Sequence, residues 1–195
     1  MKRLYLGTKN QDKLREIEEI LLSVPLELRA LPEDAPEVDE SGTSLEENAR
    51  KKALEYADHV RGPVLADDTG LFVDALDGAP GIKAARYAGE KATYADNRKK
   101  LVEALRGVPK ARRTARFRCV IALARPGSVL GTFEGAIEGE ILDAPRGEGA
   151  FGYDPLFLVP EIGRTLAEIP ATEKNRLSHR ARALQRAKAA LLELI

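Results

Sequence analysis

Two adjacent carboxylates, Asp67 and Asp68, follow directly on the apolar run Pro63 to Ala66. That run has the length and composition of a buried strand, and the sequence predicts that the strand stops at the pair. In α/β proteins the carboxyl ends of strands face the ligand crevice, so a carboxylate there can hold a divalent cation or take a proton from water. Thr69 and Gly70 continue as a turn that lets the backbone approach a ligand. Taken alone, Asp67-Asp68-Thr69-Gly70 reads equally well as a polar turn, because Asp is itself a turn and cap residue.

Three other groups carry candidate chemistry. KRLYLG at residues 2–7 reads as a short strand, and a helical pattern with Leu14, Ile17, Ile20 and Leu21 on one face follows it. The junction, Thr8-Lys9-Asn10-Gln11-Asp12-Lys13, offers free backbone N–H groups at a positive helix end, the ordinary way to hold phosphate. Thr8 and Asn10 can add side-chain bonds and Lys13 a point charge. The glycine spacing of a Walker loop is absent, and a plain helix cap explains the same residues. Phe151-Gly152-Tyr153-Asp154-Pro155, after a glycine-containing loop at 145–150, places aromatics that can stack on a base beside a carboxylate that can accept from a base edge. An aromatic plug on the core is the bland alternative. Lys174, His179 and Arg180 set three donors where the last helix opens, although a His beside an Arg at a helix start is more often a surface residue.

The elements that must position these groups are legible as patterns. Leu26 to Leu31 reads as a second strand, and 32–42 as an acidic, turn-rich loop that includes Asp39 and Glu40. Ser44-Leu45-Glu46-Glu47 is a capping box opening a helix to about Ala57 or Val60, with Asn48 and Lys52 four apart on one face. Thr93 starts a helix to about Arg106. Residues 114–125 and 129–142 alternate as hairpin strands, which predicts a mixed sheet and not a purely parallel one. Leu156 to Val159 is a last strand, and Asn175 to Ile195 a helix with Leu177, Ala181, Leu184, Ala187, Ala190 and Leu191 inward and Arg and Lys outward.

The totals exclude several classes. The chain of 195 residues is 44% hydrophobic, enough for a real core. Thirty-one Lys and Arg residues balance 31 Asp and Glu, so a nucleic-acid partner is not expected, and any polyanion must be met by a local cluster. Cys119 is the sole cysteine and lies in an apolar run, which excludes an intrachain disulfide framework. No targeting segment or membrane-spanning run is evident, so the expected location is the cytoplasm, without membrane association.

Read together, these segments resemble the Ham1/RdgB-like inosine triphosphate pyrophosphatases. The resemblance rests on Thr8-x-Asn10-x-x-Lys13, on the run Glu40 to Ala49 with Lys52-Ala53, and on Ala66-Asp67-Asp68-Thr69-Gly70-Leu71. It continues through Gly78-Ala79-Pro80-Gly81 with Ala85-Arg86-Tyr87, through Phe151 to Pro155, and through Lys174-Asn175 with Ser178-His179-Arg180. These stand in the family's order over nearly the whole chain. Lys9 stands where the family commonly has Gly, and Thr69 where Ser is frequent.

The resemblance implies an α/β fold of the ITPase/Maf-like type, a long central mixed β-sheet flanked by helices, in two lobes with an active-site cleft between them. It implies a single domain over residues 1–195 and a homodimer. The implied reaction takes ITP, dITP or XTP to the monophosphate and pyrophosphate, cleansing the nucleotide pool before such bases enter DNA or RNA. Implied with it are Mg²⁺ on Glu40 and Asp68, with Asp39 an alternative to Glu40, Asp68 as the base acting on water, and Lys52 as a catalytic cation. Thr8, Lys9, Asn10, Gln11, Asp12, Lys13, Thr69, Phe151, Gly152, Tyr153, Asp154, Lys174, His179 and Arg180 would contact the purine nucleoside triphosphate. Two other classes remain open. A Maf-like pyrophosphatase for modified pyrimidine or dTTP-like substrates would open on a Ser-Pro-Arg-Arg type loop, which this chain lacks, and a nucleotide-sensing module would have no need of Asp68.

Overall fold

The computed structural model describes residues 2–148 and 151–194. Gly149 and Ala150 of the expected loop at 145–150 lie outside the described residues, as do Met1 and Ile195 of the expected domain and last helix. In chain order the elements are β1 (Arg3–Leu6), α1 (Gln11–Leu21), β2 (Glu27–Ala30), α2 (Leu45–Val60), β3 (Val64–Val73), β4 (Pro80–Gly81), α3 (Tyr94–Ala104), β5 (Thr114–Arg125) and β6 (Ser128–Ile141). β7 (Phe157–Val159), β8 (Arg164–Thr165), α4 (Ala171–Leu177) and α5 (His179–Glu193) complete them. The sheet runs β2-β1-β3-β5-β6-β7-β8, with β4 paired to β3. β1 pairs in parallel with β2 and β3, whereas β3 with β4, β6 with β7 and β7 with β8 are antiparallel, so the sheet is mixed as expected. No helix among the described residues is long and apolar enough to cross a membrane.

Three local readings need correction. β3 does not stop at Ala66 but continues through Asp67, Asp68, Thr69 and Gly70 to Val73, because its later residues find strand partners in β4, Leu71 opposite Gly81 and Phe72 opposite Pro80. The expected last helix is two helices. Ser178 is extended between them and accepts the Ala181 N–H with its hydroxyl, which caps α5 and interrupts the run that Asn175 begins. The capping box of α2 is half formed: Ser44 accepts the Glu47 N–H, but the Glu47 carboxylate reaches the backbone N–H and hydroxyl of Thr43 and not the cap residue's own N–H.

The chain divides into two compact units. One holds the residues up to Asp68, Cys119–Gly135 and those from Asn175 onward. Its core follows the helical and strand periods: Leu14, Ile17 and Leu21 of α1 meet Leu4 and Leu6 of β1, Leu65 of β3, Ile121 and Leu123 of β5, and Ala183, Leu184, Ala187 and Leu191 of α5. Cys119 is a buried member of this core. Gly135 lets β6 approach α5, since an added Cβ would lie 2.2 Å from the His179 carbonyl oxygen and 2.4 Å from the Ala183 nitrogen. The obstacle is backbone, which cannot rotate aside, so Gly135→Ala is expected to destabilise by about 1–3 kcal/mol, towards the upper end. Urea unfolding measures this, and an unchanged midpoint would refute the close approach.

The other unit holds Thr69–Arg118 and Ala136–Lys174. Phe117 packs against Phe157, and Arg113 anchors its interior by donating to the carbonyls of Val108 and Leu105 and pairing with Asp143. Arg146 and the Thr165 N–H both bind Glu168, bracketing the segment that contains Phe151 to Asp154. Chiefly the Arg146 hydrogen bond, and then that of Thr165, holds the Glu168 carboxyl down to about 2. The unfolded value is about 4.3, so the group contributes stability above that pH and loses it as the pH falls toward 2. Glu168→Gln is therefore expected to flatten the acid limb of the unfolding midpoint plotted against pH over that window. An identical limb in the variant would place the acid sensitivity elsewhere.

Candidate active site

The last paired position of β1 is Leu6 opposite Leu65, so Asp67 and Asp68 stand just past the carboxyl end of β1 even though β3 itself continues. Alternation along a strand sends successive side chains to opposite faces. Asp67 accordingly meets α1 and α5, and Asp68 meets α2. Both are buried, at 0% and 5% exposure.

Asp67 lies 2.9 Å from the Lys13 ammonium and 3.1 Å from the Arg180 guanidinium. Arg180, at 1% exposure, also pairs with Glu16. A chain of alternating charges, Lys13, Asp67, Arg180 and Glu16, thus ties α1, β3 and α5. Burial pushes the Asp67 carboxyl up, but Lys13, Arg180 and Lys52 outweigh it and hold the group far below the usual carboxylate range. Asp67 stays ionised and acts as the fixed counter-charge of Lys13. Arg180 and His179 are both buried, against the expectation that a His-Arg pair at a helix start lies at the surface and that Arg on this helix points outward.

Asp68 receives an amide donor from Asn48 at 3.1 Å on Oδ2 and the Lys52 ammonium at 3.5 Å on Oδ1. Lys52 also sits 2.6 Å from Glu40. Burial raises the Asp68 carboxyl, Lys52 and Lys13 pull it down, and Glu40 adds to the rise; the net direction is upward. Neighbouring carboxylates are therefore pushed apart, one held ionised and the other made more basic. For Lys52, burial works against the charge, but Asp68, Asp67 and Glu40 prevail and keep it an ammonium.

Of the two candidate carboxylates Asp39 and Glu40, Glu40 is the one that shares Lys52 with Asp68. Asp39 is 74% exposed at its side chain and pairs with Lys51, whereas Glu40 is 31% exposed and shares Lys52 with Asp68. Among the described residues no group of three or more His, Cys, Asp and Glu side chains gathers as a metal cage. Two hard carboxylate oxygen donors gathered on one cation fit Mg²⁺, which commonly takes one or two carboxylates and completes its shell with substrate phosphates and water.

The turn at Thr8 to Lys13 is a capped helix start. Asn10 accepts the N–H groups of Asp12 and Lys13, and the Thr8 hydroxyl accepts the Asn10 N–H. Lys9 reaches away to the acidic loop, donating to the Ala35 carbonyl and Glu37. Gln11 is exposed and Asp12 half-buried. Lys13 is the member of this segment that joins the carboxylates.

The other unit gathers a second set. Asp154 and Lys174 form a buried ion pair, Lys174 also lies 4.9 Å over the Phe151 ring, and Tyr94 meets that ring edge-on. Arg98 donates to the Gly152 carbonyl and Tyr153 is buried with its hydroxyl on the Ala84 carbonyl, so the segment is braced from α3 and from the turn at 84–86. Phe151 is half-buried, while Tyr153 is the plug of the bland reading. Thr69 is half-buried on β3 directly after Asp68. Asn48, Asp67 and Glu16 were given no role in the sequence-based site. Their signals were Asp67 as the partner of the adjacent Asp68, Asn48 one helical turn before Lys52, and Glu16 one after Lys13.

Comparisons with known proteins bear on this arrangement. The model of the Ham1 family matches residues 4–190. A dITP/XTP pyrophosphatase of Geobacter sulfurreducens is 54% identical over 186 residues, covering 94% of each chain. One of Geobacillus kaustophilus is 48% identical over 186 residues, 94% of this chain and 91% of its own. The solved structure of a HAM1 protein from Coxiella burnetii matches with a TM-score of 0.88 at 41% identity, over 99% of this chain and 100% of that one. On a match of this extent in both sequence and fold, the chain belongs to the Ham1 family.

Proposed function

We propose that this protein hydrolyses non-standard purine nucleoside triphosphates, dITP, XTP and ITP, to the monophosphate and pyrophosphate. The observation that carries the reading is Asp68, a buried carboxylate of raised basicity held between an amide and an ammonium. The relatives named dITP/XTP pyrophosphatase support the substrate class. Asp68 takes the proton of a water whose oxygen forms a bond to the α-phosphorus as the bond from that phosphorus to the bridging oxygen breaks. The electron pair leaves with pyrophosphate. Lys52 and Lys13 offset the charge gathering on the phosphate oxygens, which is where most of the catalysis in such a transfer lies. Mg²⁺ held by Glu40 and Asp68 would supply further neutralisation and orientation of the triphosphate.

Thr8, Asn10, Gln11 and Asp12 are proposed to add phosphate-side contacts from the start of α1, with Lys9 behind them reaching to the acidic loop and Thr69 beside the base. Phe151 offers a stacking face, with Gly152, Tyr153, Asp154 and Lys174 setting its position. A donor from His179 would reward a 6-oxo group and reject a 6-amino group, because a donor left unpaired in a buried site carries a penalty, while Arg180, held between Asp67 and Glu16, would act from behind by fixing Asp67 and Lys13. In this reading the chain works as a Mg²⁺-dependent homodimer in the cytoplasm, removing such nucleotides before a polymerase uses them.

The test is pyrophosphate release by the purified protein with Mg²⁺, and with chelator in its place, on dITP, XTP and ITP against ATP and GTP at equal concentration. Preference for the first three by orders of magnitude, lost with chelator, is the expected result. Equal cleavage of all five would overturn the selectivity, and cleavage of none would overturn the reaction.

A further inference from the structure

We infer that Asn48 is a positioning residue for this hydrolysis, orienting the Asp68 carboxylate and tying it to the acidic loop that carries Glu40; the inference rests on the function proposed above. Asn48 is 2% exposed on α2. Its amide is read without ambiguity. The Gly42 backbone N–H can only donate, and it does so to Asn48 Oδ1 at 2.8 Å, which turns Nδ2 to Asp68 Oδ2 at 3.1 Å. Lys52, one turn later on the same helix, addresses the other oxygen, Oδ1. Each oxygen of Asp68 therefore has its own donor, and the plane of the carboxylate is set by α2.

The same amide reaches the loop two residues after Glu40. The approach there is tight, since an added Cβ at Gly42 would lie 2.5 Å from Asn48 Oδ1. One side chain thus joins loop, helix and strand at the base.

Asn48→Asp tests this with little change of shape. It keeps an acceptor for the Gly42 N–H and replaces the donor facing Asp68 by a carboxylate oxygen. The expected result on dITP or XTP is a fall in kcat of about a hundredfold with KM within about threefold, the size of effect that small misplacement of a reacting group produces. Equilibrium binding of a non-hydrolysable dITP analogue should stay within about threefold of wild type, because the change acts on the transition state. Gly42→Ala is the second variant, made so that the inference does not depend on Asn48→Asp folding. It leaves Asn48 and Asp68 chemically intact and displaces the amide, and it should lower kcat about tenfold or more with analogue binding retained. A kcat within about threefold of wild type in either folded variant overturns the positioning role. Wild-type protein in the same assay separates the two failures: no pyrophosphate from dITP or XTP overturns the functional reading and this inference with it, whereas active wild type with equally active variants overturns the inference alone.

Discussion

Asp68→Asn is expected to lower kcat for dITP or XTP by about 10³-fold, within the range that a positioned general base contributes, while analogue binding persists within about tenfold. The substitution keeps the shape and an oxygen for the Asn48 donor, but an amide cannot take a proton from water. Loss of one of the two proposed Mg²⁺ carboxylates acts in the same direction. The fold should survive, since Lys52 keeps Glu40 as an ion-pair partner and the neighbouring Asp67 keeps Lys13 and Arg180. Rapid-quench or coupled pyrophosphate assays with a melting curve alongside measure both halves. A variant with kcat within about tenfold of wild type would mean that another group is the base.

Arg180→Met is expected to act on stability first. Arg180 is wholly buried between Asp67 and Glu16, and removing one member of a buried charge network leaves the others uncompensated, at a cost of about 3–5 kcal/mol. For a chain of this size that corresponds to a fall in Tm of roughly 6–20 °C. Arg180→Lys should recover only part of the loss, because an ammonium does not reproduce the planar fork that reaches two carboxylates. Because Asp67 would keep Lys13 alone, the position of Lys13 should loosen, and KM for the triphosphate should rise in the folded fraction. Stability within about 1 kcal/mol of wild type would show that the network contributes nothing net, as surface pairs often do.

The elements most legible in the sequence were those whose period alone decides them. α1, α3 and the β5 and β6 strands sit where the apolar spacing places them, because an amphipathic face has few other ways to be buried. Asp68 was visible in the sequence as a carboxylate at the end of a buried-strand pattern that reads equally well as a polar turn, and Lys52 entered as a catalytic cation only through the family resemblance. The extent of β3 was not legible, because its continuation through two aspartates depends on β4 and on cations brought from helices distant in sequence. Local propensity rightly disfavours Asp in a strand, and tertiary pairing overrides it.

By itself the sequence determined the family, the mixed α/β class, the capped start of α1 and the short set of residues able to do chemistry. Tertiary structure alone decided which partners each of them meets. It put Asp67 on the face of α1 and α5 with Lys13 and Arg180, and Asp68 on the face of α2 with Asn48 and Lys52. It paired Glu40 with Lys52 and Asp39 with Lys51. The physical reason is that a carboxylate's role follows from its desolvation and from the charges and donors within a few ångströms, and those come from segments far apart along the chain.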